Sequence, residues 1–241
     1  MLFRSQSSSY PTVLFNAMVK PWTAFPIKGV IWYQGEANVG RSEQYGDLFP
    51  ALITDWRRQW RSDFPFYFVQ LANFMESKKI QPDSEWAALR EAQTKALKLD
   101  QVGMAVTIDI GLADDIHPKN KQEVGRRLAL VALAGSYGKN VSSSAPVFQN
   151  YIIKGNKMEL DFGQKQDGFQ IKGTTLKGFT IAGPDRVFYP AEAMVHDGKI
   201  ILSSTEVPAP LAARYGWADN PDCNLYGENG LPVAPFRTDC W

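Results

Sequence analysis

Histidine and cysteine are the scarce residues of this 241-residue chain: two of each occur, His117, His196, Cys223 and Cys240. Two thiols are too few for a thiolate zinc site, and their spacing matches no redox or finger motif. They are placed to pair across a short C-terminal loop in an oxidising compartment. Two isolated histidines without H-E-x-x-H give zinc no support. Asp109, Asp114 and Asp115 form an oxygen-rich group, but not with the alternating spacing of a calcium loop. No glycine-rich dinucleotide fingerprint follows a strand, and no P-loop is present. No metal and no cofactor is therefore expected. Long apolar runs are also missing. No stretch approaches the roughly 18 apolar residues of a membrane span. The opening Met1-Leu2-Phe3-Arg4-Ser5-Gln6-Ser7 lacks the basic-then-apolar order of an export signal. Neither sign of charge prevails, with Lys and Arg 26 against Asp and Glu 25. Basic runs are no longer than Arg57-Arg58, Lys78-Lys79 and Arg126-Arg127. Nucleic acid is not an expected partner.

What is present suits a folded protein. Apolar residues at 44% and charged residues at 21% argue against global disorder. The length buries a core without a disulfide scaffold. A short apolar run, Gly29-Val30-Ile31-Trp32-Tyr33, reads as a buried strand. Tyr45, Leu48, Phe49, Leu52, Ile53, Trp56 and Trp60 then recur at helical spacing. Strands are expected at 64–71 and 102–110, a helix at 85–99, and a further helix started by Pro118, with Val124, Leu128 and Val131 inward and Gly135 near its end. Apolar strands alternating with amphipathic helices predict an α/β fold with a parallel sheet between helices. In such sheets chemistry sits beyond the carboxyl ends of the strands, here after Tyr33 and after Ile110, and more weakly at Gln70 and Asn73.

After Ser142-Ser143-Ser144 the pattern shortens to alternating runs at 157–162, 179–181, 186–189 and 199–202, separated by Gly and Asp turns. A small antiparallel β region is expected there. The division predicted is 1–140 for the α/β part and 141–241 for the β part with its tail. The tail from Tyr215 to Trp241 reads as irregular chain whose aromatics need packing partners.

Two loops carry the candidate chemistry. His117 follows Asp114-Asp115-Ile116 and precedes Pro118. A carboxylate three residues before a histidine reaches its ring and leaves the other nitrogen as a general base. Equally, such a histidine caps the next helix among solvated acids. His196 lies in a hairpin turn and has little beyond a turn role to recommend it. Gln34-Gly35-Glu36 ends the first strand: Gly35 lets backbone approach a ligand, Gln34 offers an amide donor to an oxyanion, and Glu36 caps or braces. A plain tight turn fits the same tripeptide.

The two loops together resemble a known pattern. Ile31-Trp32-Tyr33-Gln34-Gly35-Glu36-Ala37-Asn38 resembles the third block of the SGNH-type esterases, in the form found in the sialate O-acetylesterase family. The stretch Asp115-Ile116-His117-Pro118 to Leu128 resembles that family's histidine block and following helix. Pro11 to Val19, Trp86 to Gln93, and the ending from Arg214 to Asp239 are similar too, so the likeness covers nearly the whole chain.

The resemblance implies a partial SGNH-hydrolase-like sheet and metal-independent hydrolysis of acetyl esters on sugars, on sialic acid or on plant polysaccharide. A serine attacks the acetyl carbonyl and a histidine takes its proton. By resemblance His117 is the base and Gln34 the oxyanion donor. Gly35, Glu36 and Asn38 support it, and Arg90 braces the pocket. Asp114 orients His117, with Asp115 and Asp109 as alternatives. The family's early glycine–serine block finds no counterpart: Ser5, Ser7, Ser8 and Ser9 lack its context, and Gly135-Ser136 is out of order. The chain is therefore expected to be the C-terminal portion of a longer enzyme, weak or inactive alone, with a missing strand that leaves a sheet edge open. The missing N-terminal portion, or a second copy of the chain, is the expected protein partner, and an acetylated sugar or glycan the small one. Export to the periplasm or exterior is expected of the full-length form. A carbohydrate-binding or structural module, with Trp217, Tyr226 and Trp241 stacking on sugar, and an acetylxylan-type esterase are the competing readings.

Overall fold

The computed structural model describes residues 10–163 and 168–241. The candidate serines Ser5, Ser7, Ser8 and Ser9 lie outside the described residues. Three short strands, β1 (Val30–Trp32), β2 (Phe66–Val69) and β3 (Val102–Ala105), form a parallel sheet in the order β1-β2-β3. β2 occupies the middle and is buried at every position, which is why it reads as an unbroken apolar run. Its side chains alternate between two layers. Phe66 and Phe68 enter a core with Phe49 and Ile53 of α1 (Ser42–Trp60) and Leu89 and Ala92 of α2 (Glu85–Thr94). Tyr67 and Val69 face Val124, Leu128 and Val131 of α3 (Lys121–Gly135) on the other side. The fold is thus α/β with a parallel sheet flanked by helices, followed by antiparallel sheets.

The elements depart from the sequence pattern where side chains take over backbone partners. β3 stops at Ala105 although apolar residues continue to Ile110. There the Thr107 hydroxyl donates to the Gln70 carbonyl at 2.6 Å and Arg127 takes the carbonyl of Val106 at 2.7 Å, so the chain leaves the ladder. α2 tightens into a 3₁₀ turn over Lys95–Lys98 instead of running to Leu99. α3 begins at Lys121 rather than at Pro118, because the Asn120 side chain accepts from the Glu123 amide at 3.1 Å and caps it. Leu48, counted with the inward face of α1, is 54% exposed. At 100° per residue it falls on the rim of the stripe centred on Phe49, Ile53 and Trp56.

Among the described residues the β1 edge of the parallel sheet is open. β1 pairs with β2 alone among the described residues, and Ile31 at its centre is 71% exposed. Leu14, Met18 and Trp22, at four-residue intervals, are also exposed.

The second half is antiparallel. One sheet has the order β4-β5-β10-β9, built from Asn150–Lys154, Lys157–Asp161, Lys199–Ser203 and Glu192–His196. Another has the order β13-β11-β7-β8, from Phe236–Arg237, Ala212–Tyr215, Phe179–Ala182 and Phe188–Pro190. A two-stranded ribbon joins β12 (Leu225–Gly227) to β6 (Phe169–Ile171). The tail is therefore not irregular throughout, since β12 and β13 lie within it. Its aromatics do find partners: Phe236 stacks on Phe148 at 4.3 Å between ring centroids, and Tyr215 lies 4.6 Å from Phe179. Cys223 and Cys240 are both free thiols, so the C-terminal loop is not closed by a disulfide. What fastens it is ionic: Arg214 on β11 grips the buried Asp239 carboxylate with two hydrogen bonds, at 2.9 and 2.7 Å. Arg237 on β13 reaches Glu91 on α2 at 2.9 and 2.8 Å, tying the β half to the α/β half.

Candidate active site

The loop leaving β1 brings Gln34 to the carboxyl end of the sheet. Gly35 is buried there with φ 157° and ψ −22°. A Cβ at this position would lie 3.2 Å from the Gln93 amide nitrogen and 3.4 Å from Leu71, so a larger residue forces a neighbour aside. The next residues, Glu36–Asn38, make one 3₁₀ turn that folds Asn38 back. Its Oδ1 accepts from Gln34 Nε2 at 2.7 Å.

Three further contacts hold Gln34. The Tyr45 hydroxyl on α1 lies 3.2 Å from the Gln34 carbonyl and 3.3 Å from Oε1. Gln93 on α2 donates to the Gln34 carbonyl at 3.2 Å. With Oε1 held by Tyr45, the amide presents its NH₂ end elsewhere; one N–H goes to Asn38 and the second has no protein acceptor among the described residues. Tyr45 and Gln93 were not singled out in the sequence. Tyr45 reads there as one more apolar member of the α1 stripe. Gln93 was legible in principle, as a polar residue on the inward face of α2.

His117 comes from the opposite loop, between β3 and α3. Its side chain is 85% exposed. Asp115 is the one carboxylate within 4.0 Å of the ring among the described residues, with Oδ1 3.8 Å from Nδ1 and 2.9 Å from the His117 amide nitrogen that donates to it. Asp114, picked out by the three-residue spacing, is exposed and makes no such contact. Asp109 is committed elsewhere. Arg127 on α3 binds it with two hydrogen bonds, at 2.6 and 2.9 Å, and Tyr226 donates to it at 3.2 Å. Arg127 also reaches Glu123 at 2.8 Å. Hydrogen bonds from Arg126 and Arg127 hold the Glu123 carboxyl down at about 2.

Gln34, Glu36, His117 and Lys121 line one cleft of about 380 Å³, with Tyr33 and Pro118 among its walls. The Lys121 ammonium stands 4.9 Å from the Tyr33 ring centroid. Burial, helped by the charge of Glu36, pushes the Tyr33 phenol up to about 12, so it stays a neutral wall. No serine lines this cleft among the described residues; Ser136 sits at the far end of α3, 2.7 Å from the Tyr67 hydroxyl. His196 ends β9 beside Asp197 in the β half, away from the cleft.

Arg90 lies outside the cleft and is fully buried. Its guanidinium donates to the carbonyls of Leu71, Ala72, Ala218 and Asp219 at 2.7 to 2.9 Å. Burial draws its pKa down to about 9. It joins the loop after β2 to the tail of the β half.

The family described as "Carbohydrate esterase, sialic acid-specific acetylesterase" matches residues 3–134. The mouse sialate O-acetylesterase is 32% identical over 93% of this chain and 47% of its own length. The human sialate O-acetylesterase is 32% identical over 93% of this chain and 48% of its own. A carbohydrate acetylesterase from Xanthomonas citri, known from its crystal structure, superposes with a TM-score of 0.91 at 46% identity, over 96% of this chain and 55% of that one. The chain spans about half the length of the relatives it matches. It belongs to the sialic acid-specific acetylesterase family of carbohydrate esterases.

Proposed function

We propose that this chain supplies the histidine and the oxyanion donor of a carbohydrate O-acetylesterase that works by serine acyl transfer. The observation that carries the reading is the shared cleft: Gln34 and His117, from separate loops at the carboxyl side of the sheet, line one space wide enough for an acetylated sugar. The sialate O-acetylesterases and the Xanthomonas citri enzyme bring the substrate class with them.

In this reading His117 removes the proton from a serine hydroxyl as it attacks the acetyl carbonyl. The free N–H of Gln34 receives the developing oxyanion, an interaction worth about 2.7–4 kcal/mol when such a donor is removed elsewhere. His117 then returns its proton to the departing sugar oxygen, and water releases acetate by the same steps in reverse order. Asp115, the nearest carboxylate, is the orienter of the imidazole, in the role first given to Asp114.

The serine comes from polypeptide outside the described residues. The edge of β1, without a partner strand among the described residues and with Ile31 exposed on it, and the exposed Leu14, Met18 and Trp22 support a further segment packing there. A second copy of the chain pairing at the same edge is the alternative occupant. The chain alone is then a poor esterase. Acetate release from O-acetylated sialic acid and from acetylated xylan tests the reading and separates the two sugar classes. Hydrolysis that survives His117→Ala at full rate would defeat it.

A further inference from the structure

A second cleft, of about 420 Å³, lies where the loop Ser77–Gln81 meets the β half. Its rim carries Lys78, Lys79 and Lys177, and its apolar walls include Phe179, Pro190 and Trp217. Lys177 is paired with Asp222, also on the rim, at 2.9 Å. Lys78 and Lys79 have no carboxylate within 4.0 Å among the described residues. The cleft thus combines uncommitted positive charge with an aromatic and aliphatic surface.

Its walls are held in place. The amide of Asp219 donates to Gln81 at 3.1 Å, Asn220 donates to the Met75 carbonyl at 2.7 Å, and Arg90 holds the Ala218 carbonyl at 2.7 Å. The guanidinium of Arg237 sits 4.7 Å from the Trp217 ring centroid and that of Arg214 sits 5.2 Å away, which fixes the indole. A preformed cleft loses little entropy on binding.

We propose that this cleft is a binding site for carboxylate-bearing saccharides, separate from the cleft that holds His117. Sugar rings present apolar C–H faces to aromatic and proline surfaces, while their hydroxyls point outward. A carboxylate on the same ring meets Lys78 and Lys79. Neutral saccharides gain the first contact but not the second. The two clefts share no lining residue, so the site anchors an acidic glycan without entering the hydrolytic chemistry.

The test is titration of the ¹⁵N-labelled chain with trigalacturonate and with its methyl ester, a neutral analogue of the same shape. The acid is expected to shift the Trp217 indole N–H and the amides of 77–81, and to bind less tightly as salt rises. Lys78→Gln with Lys79→Gln, at exposed positions, is expected to weaken the acid by about tenfold and leave the ester unchanged. His117→Ala is expected to leave both ligands unchanged. Equal binding of acid and ester, full affinity in the double variant, shifts confined to Tyr33, Gln34 and His117, or no binding at millimolar acid would each overturn the proposal. Loss of esterase activity bears only on the other cleft.

Discussion

The hydroxyl of Tyr45 lies 3.3 Å from Oε1 of Gln34, and with the 2.7 Å bond from Gln34 Nε2 to Asn38 it holds the Gln34 amide in one orientation. Tyr45 is 5% exposed, sits on α1 and does not line the cleft. Tyr45→Phe keeps the ring packing and removes the hydrogen bond. In an active acetylesterase context, kcat is expected to fall by about tenfold with KM little changed, the loss of roughly one hydrogen bond felt in the transition state. With Gln34→Ala already present, the same change is expected to add little, because the two act as one unit. Full additivity of the two losses would show that Tyr45 acts elsewhere.

Arg90 is a fastening residue between the two halves. Arg90→Met removes the guanidinium from four carbonyls and leaves those of Leu71 and Ala218 without a donor, while Ala72 keeps Trp86 Nε1 and Asp219 keeps the Phe74 amide. The expected cost is about 3–5 kcal/mol, read as a lower urea midpoint. A change below about 1 kcal/mol would show that water replaces the guanidinium at the junction.

Asp115 and Asp109 are separable by what their loss does to activity and to stability. In an active acetylesterase context Asp115→Asn is expected to lower kcat by about tenfold and to leave the urea midpoint unchanged, since Asp115 is the carboxylate beside the ring. Asp109→Asn is expected instead to destabilise the chain by about 1–3 kcal/mol, because it takes from the buried Arg127 one of its two carboxylates and leaves it Glu123. The reverse pattern would return Asp109 to the role of orienter.

Glu123 makes stability depend on acid. Its carboxyl is held down at about 2 in the folded chain, against an ordinary value of 4.5. A depressed carboxyl contributes stability above its unfolded pKa and loses it as pH falls through the folded one. The melting temperature is therefore expected to drop as pH falls from 4.5 towards 2, and to drop less in Glu123→Gln. Identical slopes for the two proteins would place the acid sensitivity in other carboxylates.

The sheet was legible in the sequence because β2 is apolar at every position and the helices around it keep their spacing. The ends of elements were not. β3 ends where Thr107 and Arg127 capture carbonyls from across the fold, and no local pattern announces a distant guanidinium. The strands β12 and β13 are two or three residues long and exist through their partners, so they carry no alternation to read. In the site, the loops of Gln34 and His117 stood out by residue type. The carboxylate beside His117 did not follow from spacing: a three-residue interval fits helical geometry, whereas this turn folds Asp115 back onto the His117 amide instead. Arg90 was marked as a brace, and its four carbonyl partners lie at the junction of the halves, outside the cleft.

Gln34 and His117 are proposed to complete an acetylesterase whose serine lies elsewhere. Acetate release from O-acetylated sialic acid tests it on two proteins: the purified chain, and a chimera in which this chain replaces the matching portion of the Xanthomonas citri enzyme. The chimera is expected to turn over, its rate falling to background with His117→Ala and by about 10²–10³-fold with Gln34→Ala, and the chain alone is expected to show no comparable turnover. Enzyme-like release by the chain alone, or a chimera indifferent to His117→Ala, would contradict it.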